Sequence, residues 1–128
     1  MTVVDASLLF DAIRGVPEDA RSALLEAGPP LAAPYIVDLE VISAIRGFVL
    51  TGQIAEEDGR ALLRRLGRLP LVRHEHQPLT SRIWELRHHL TAYAAAYVAL
   101  AERLDTPLLT RDLHLSRTPG VECVIHVI

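Results

Sequence analysis

The chain has 128 residues, half of them apolar, with 13 basic and 16 acidic side chains and one cysteine. That length suits one domain around one substantial core, and a single cysteine excludes an intrachain disulfide and a thiolate zinc cluster. The net charge of −3 gives no global basic field of the kind nucleic-acid binders often carry, although a local basic groove remains open.

Every basic residue is arginine, so a Schiff-base lysine, a P-loop lysine and the lysine of a phospho-receiver domain are all missing. No apolar run reaches the roughly 18–20 residues of a bilayer span. The N-terminus lacks the charged-then-apolar pattern of a signal peptide. The expectation is a cytoplasmic protein with no membrane contact.

Thr2–Val4 reads as a short strand ending at Asp5, and Ala6–Phe10 as the start of a helix. Asp5 suits an N-cap, whose carboxylate accepts from first-turn amides; a site acid suits the same position. Gly15-Val16-Pro17 breaks the chain, and a second helix is expected over residues 18–27 with Leu24 and Leu25 on its buried side. Gly28-Pro29-Pro30 stops it, Leu31–Ala33 is a very short buried strand, and Pro34 ends that strand's ladder. Tyr35–Leu50 is the most periodic helix: Val41, Ile42, Ile45, Phe48 and Val49 form one apolar stripe. Glu40 sits one residue before that stripe, either facing the sheet edge or solvated in an early turn.

Glu56–Leu69 is a helix burying Leu62, Leu66 and Leu69, with Arg60, Arg64 and Arg68 at four-residue spacing and a Glu56–Arg60 pair. That arginine stripe suits a solvated face more readily than an RNA track. Leu71-Val72 begins a strand. His74-Glu75-His76 has the look of metal-ligand material, but no third ligand follows at close spacing. Thr80–His89 is expected as a helix containing Trp84 and Leu86, its basic end complementing the helix dipole. Thr91 caps the next helix, Ala92–Leu104, where Tyr93, Tyr97, Leu100 and Leu104 share a stripe. Leu108–Thr110 is a strand closed by Arg111-Asp112, and Val121–Val127 is a terminal strand. Cys123 reads as a buried small apolar residue near it.

This βα alternation with about five short strands predicts an α/β fold, a parallel sheet covered by helices on both faces. Right-handed crossovers then place strand exits on one edge, where Asp5, Asp112 and the helix-borne Glu40 can converge. Clustered carboxylates repel one another unless a cation compensates them. Mg²⁺ or Mn²⁺, hard cations that favour oxygen ligands and retained water, fits that need and suits phosphodiester hydrolysis. No Ser nucleophile elbow and no Gly-rich phosphate loop compete.

The stretches TVVDAS, DLEVISAIR and LTAYAAAYVALAERLDTPLLTRDLHL together resemble the PIN-domain family, and more narrowly its VapC-type toxins of toxin–antitoxin pairs. The match runs from the first strand to the last, with residues 90–114 the most specific part. The resemblance implies one PIN-like domain over residues 1–128, a three-layer α/β/α sandwich on a parallel five-stranded sheet. It also implies a Mg²⁺- or Mn²⁺-dependent endoribonuclease with four site acids, a homodimer, and inhibition by a VapB-type antitoxin whose C-terminal segment enters the site. By position, Asp5, Glu40 and Asp112 match three of those acids and would hold the metal. Thr110 and Ser7 are hydroxyls that could brace the acids or serve only local turns. Arg46, Arg87 and Arg111 are candidates to grip RNA phosphates, through the fork of donors a guanidinium carries. An arginine-lined groove would suit an acidic or hydrophobic antitoxin tail.

The fourth acid of the family falls where this chain has Ala94. With Thr91 as N-cap, residue 94 is N3, where an acid is favoured by the helix dipole and could return a bond to the cap. Alanine there removes one anionic ligand. It is read first as an inactivating Asp→Ala change, second as natural degeneration, and last as a misalignment. The competing functions are an impaired ribonuclease, a non-cleaving module that binds antitoxin or RNA, and a flavodoxin-like or phospho-receiver domain.

Overall fold

A computed structural model describes residues 1–128. Five strands form one sheet: β1 (Thr2–Val4), β2 (Leu31–Pro34), β3 (Leu71–His74), β4 (Leu108–Thr110) and β5 (Ile125–Val127). Their order is β3-β2-β1-β4-β5 and every neighbouring pair is parallel. Seven helices connect them: α1 (Ala6–Arg14), α2 (Glu18–Ala27), α3 (Ile36–Leu50), α4 (Glu56–Arg68), α5 (Thr80–Glu85), α6 (Ala92–Leu104) and α7 (Leu113–Ser116). Helices α1 to α4 pack on one another, and α5 packs on α6, which lies against β1, β2 and β4.

All of β2 and β4 is buried, as strands covered on both faces must be. Val3, Val4, Leu8, Leu9, Val37, Val41, Val98, Leu100 and Leu108 form the centre of one core. The α3–α4 contact is close because Gly59 carries no side chain: a Cβ there would lie 2.9 Å from Val49 Cγ2.

The chain runs from β1 outward to β2 on one side and later returns to β4 on the other, so β1 and β4 flank the point where connection direction reverses. In open α/β sheets the crevice outside the strands' carboxyl ends at that point is where ligands bind. Asp5 follows β1 and Asp112 closely follows β4.

Several expectations change. Leu24 is half-buried, but Leu25 is 73% exposed; neighbouring helix residues diverge by about 100°, and of the two it is Leu24 that packs against the core. In α3, Val41 and Ile45 are buried while Ile42 is exposed. The helix expected over residues 80–89 ends at Glu85 and continues as tight turns, His89 N–H and Leu90 N–H both donating to Leu86 O. Leu86 and Leu90 are both buried, and the turns let both enter the core while Thr91 begins the next helix. The terminal strand is only Ile125–Val127, because its sole partner β4 is three residues long. His74 ends β3 and His76 lies beyond it, so the two do not alternate along one strand.

Candidate active site

A cleft of about 390 Å³ opens at the β1–β4 exits, and its wall includes Asp5, Ser7, Glu40, Tyr93, Ala94 and Asp112. Four elements therefore deliver the three expected acids and residue 94 to one place. A cleft of about 540 Å³ lies elsewhere, among Arg14, Arg21, Arg65 and Arg68, and gathers no acids.

Asp5 is 8% exposed and is both helix cap and cleft wall. Its Oδ1 accepts from Leu8 N–H at 3.0 Å, capping α1, and from the Ser7 hydroxyl at 3.0 Å. The Thr110 hydroxyl donates to its Oδ2, and the same hydroxyl oxygen accepts from Asp112 N–H at 2.9 Å. Thr110 thus ties the ends of β1 and β4 together. Burial pushes the Asp5 carboxyl above the usual aspartate range; the hydrogen bonds from Thr110, Leu8 and Ser7 pull it back, and the Asp112 charge adds to the rise.

Asp112 is exposed and caps α7, its Oδ1 accepting from His114 N–H at 2.9 Å. Glu40 is half-buried on α3, where Tyr97 of α6 donates its phenol hydrogen to Oε1 at 2.6 Å. Burial first, and then the Glu40 carboxylate, hold the Tyr97 hydroxyl firmly protonated. Thr91 caps α6 by accepting from Ala94 N–H at 3.1 Å, which fixes residue 94 as N3 and half-buried against the cleft. The methyl group of Ala94 meets the space that an acid there would fill.

The arginines divide. Arg46 is exposed and forms no ion pair; six residues beyond Glu40, it leaves α3 about 120° around the axis from that acid. Arg87 is exposed and stacks over Trp84, 4.6 Å from the ring centroid. Arg111 is committed elsewhere: it donates to Asp11 at 3.0 Å, to Asp19 at 2.7 and 3.0 Å, and to Ile128 O at 3.0 Å. The strand-exit position that suggested an RNA contact instead closes a brace between α1, α2 and the C-terminal residue.

Tyr97 is the site residue that pattern reading passed over, since its spacing matched the core stripe. The available signal was its phenol in an otherwise apolar run, because a buried tyrosine hydroxyl needs a partner. Cys123 is half-buried, and burial followed by the Glu102 charge pushes its thiol up to about 11.

Comparison with known proteins bears on the family and the fold. The PIN domain family model matches residues 2–121. Ribonuclease VapC1 of Mycobacterium tuberculosis is 43% identical over 98% of this chain and 96% of its own length. Ribonuclease VapC9 of the same organism is 40% identical over 100% of this chain and 98% of its own. Among solved structures, a toxin–antitoxin complex from Klebsiella pneumoniae aligns with a TM-score of 0.69 at 23% identity over all of both chains. VapBC2 from Rickettsia felis, bound to a DNA fragment from its promoter, aligns at 0.72 and 15% identity over 98% of this chain and 97% of that one. These two likenesses concern the fold. The chain belongs to the PIN-domain family, and within it to the group of its VapC relatives.

Proposed function

We propose that this chain is a VapC-type toxin built as a divalent-metal-dependent endoribonuclease, and that Ala94 impairs its cutting. The observation that carries the reading is the convergence of Asp5, Glu40, Asp112 and the N3 position of α6 on one cleft at the sheet's reversal point. Relatives of nearly equal length named ribonucleases support it.

No three acids, histidines or cysteine enclose a ready-made metal cage. The donors lining the cleft are nonetheless carboxylate oxygens, which fit a hard cation that keeps several waters. Asp5, Glu40 and Asp112 are the residues that would hold Mg²⁺ or Mn²⁺; when bound, such an ion acidifies water and offsets charge on a phosphate. The protein's own part is positioning. Thr110, Ser7 and the α1 amide hold Asp5, Tyr97 holds Glu40, and the α7 amide holds Asp112. An acid at position 94 would add a further anionic oxygen and a group able to orient a water, so its loss weakens both ion binding and hydrolysis.

The partner we propose is a VapB-type antitoxin, in line with the toxin–antitoxin assemblies that share the fold. Homodimerisation is proposed through α3, whose exposed Leu39, Ile42 and Leu50 lie beside exposed Tyr35; size-exclusion with light scattering tests it. No helix is long and apolar enough to cross a membrane, and the cytoplasm is the proposed location.

A second reading is favoured by Ala94 itself: a natural module that binds antitoxin or RNA without cutting. The test is cleavage of total RNA with Mg²⁺ or Mn²⁺, EDTA as control, comparing this chain with its Ala94→Asp variant. Cutting by the variant alone supports the ribonuclease reading. Equal cutting by both removes position 94 from the site. If neither cuts, the binding module is favoured. The codon at position 94 in the source genome then tells an introduced alanine from a natural one.

A further inference from the structure

We infer that Trp84, with Arg87 stacked on it, is a stacking site for an unpaired base of RNA that runs out of the cleft past Tyr93. This rests on the ribonuclease reading and adds to it where the substrate lies outside the reacting centre. Trp84 is the only tryptophan in the chain. It is 66% exposed even though the Arg87 guanidinium covers one face of its ring at 4.6 Å. A large apolar ring left this open on a short helix contributes little to folding, since the buried anchors nearby are Leu86 and Leu90.

The platform is rigid. Arg87 Nη1 donates to Trp84 O at 2.9 Å and Arg87 N–H donates to the same oxygen at 3.1 Å. Arg82 fixes α5 to α6 through two bonds to Glu102, at 2.7 and 3.0 Å, and fixes α5 to the C-terminal segment through Gly120 O at 2.6 Å. The platform is joined to the site through the chain. The turns of residues 86–90 lead from Trp84 directly to Thr91, and Thr91 and Tyr93 both line the cleft.

The charge points to an anionic occupant. In a chain of net charge −3, no acid occurs from Leu86 to Ala101. Over that stretch Arg87, His88, His89 and Tyr93 are all exposed. Aromatic rings with an arginine plane, beside basic side chains, suit single-stranded nucleic acid, and the adjacent Glu85 is paired with Arg82 at 3.1 Å. Stacking there needs a base released from a duplex, and arginine adds a cation–π contribution. A duplex offers no free base face to such a platform. The inferred ligand is therefore an unpaired stretch flanking the scissile phosphate.

The sole tryptophan makes the test direct. Its fluorescence is followed in the intact chain, with EDTA present to prevent cutting, while a single-stranded RNA oligonucleotide or the matching duplex is added. Affinity is measured in parallel by anisotropy of labelled RNA for this chain and for the Trp84→Ala and Trp84→Phe variants. The expected result is quenching by single-stranded RNA and much less by duplex, with affinity roughly 5- to 150-fold weaker in Trp84→Ala and largely kept in Trp84→Phe. RNA that binds without quenching, and with equal affinity for Trp84→Ala, overturns the inference while leaving the ribonuclease reading intact. If no RNA binds at all, the inference is overturned, and metal-dependent cleavage by Ala94→Asp decides the ribonuclease reading separately. If Trp84→Ala leaves RNA affinity unchanged but shifts the chain to a smaller species on size exclusion, the platform is a contact between copies of this chain and the inference is overturned.

Discussion

Tyr97 donates its phenol hydrogen to Glu40 Oε1 at 2.6 Å, joining α6 to α3 across 57 positions of sequence. The bond holds one site acid in place from the helix that also carries residue 94.

Tyr97→Phe keeps the ring's packing and removes only that donor. Stability should fall by about 1.5–3 kcal/mol, the range for a hydrogen bond to a charged group. Affinity for Mn²⁺ should fall roughly 10- to 100-fold, as when a group that orients a metal ligand is lost. Calorimetry reads both quantities, and unchanged Mn²⁺ affinity would separate Glu40 from the metal site.

Asp5 gives a pH dependence of defined sign. Its carboxyl titrates above the usual 3.8 in the folded chain, mainly because it is buried. The folded state therefore holds more protons than the unfolded one between 3.8 and the raised value. Across that window stability falls as pH rises, and above it the full penalty of the buried charge is present. Asp5→Asn keeps the helix cap and removes the charge, so its melting temperature at pH 7 should equal or exceed that of the parent chain. Its stability should also lose that part of the slope. A variant markedly less stable at pH 7 would show that the hydrogen bonds from Thr110, Ser7 and Leu8 outweigh desolvation.

Ala94→Asp should couple metal to folding. Without divalent ions, the added carboxylate feels both repulsion from the site acids and attraction to the α6 N-terminus, so the melting temperature should change little. With millimolar Mn²⁺, the variant should gain more stability than the parent, following the mass-action relation for a ligand bound only by the folded state. Identical Mn²⁺-induced shifts in the two chains would count against a ligand role for residue 94.

Arg111 should report on folding rather than on RNA. Arg111→Gln breaks the ion pairs to Asp11 and Asp19, pairs that are partly exposed and so screened, and the melting temperature should fall only slightly. RNA affinity and its salt dependence should stay as they are. A shallower salt slope would return Arg111 to the RNA path.

Two glycines should respond with opposite sign. Gly59→Ala places a methyl 2.9 Å from Val49 Cγ2 and 3.3 Å from Ile45 Cγ2. The resulting strain of about 1–3 kcal/mol should exceed the helix-propensity gain of about 1 kcal/mol. Gly67→Ala meets nothing within 4 Å and should stabilise the chain by about 0.5–1 kcal/mol. Urea denaturation of both variants measures how tight the α3–α4 approach is.

The layers of the fold and the helix caps were legible in the residue order alone. Alternation of β-branched runs with periodic apolar helices dictates a covered parallel sheet, and a short polar side chain before a helix dictates a cap, because both depend on neighbours a few residues away. Asp5 and Thr91 were legible as caps on that ground, and residue 94 as N3. The remaining features depend on partners far apart in the chain. Tyr97 and Glu40 meet because α6 and α3 both reach the cleft side of the sheet, and Thr110 touches Asp5 because β4 pairs with β1 in a register that sequence spacing does not state. Arg111, a candidate RNA contact by its strand-exit position, is met by Asp11 and Asp19 from two helices that sequence spacing does not bring together. Leu25 and Ile42 stayed exposed for the complementary reason: periodicity marks an apolar face, but only packing shows where its edge lies.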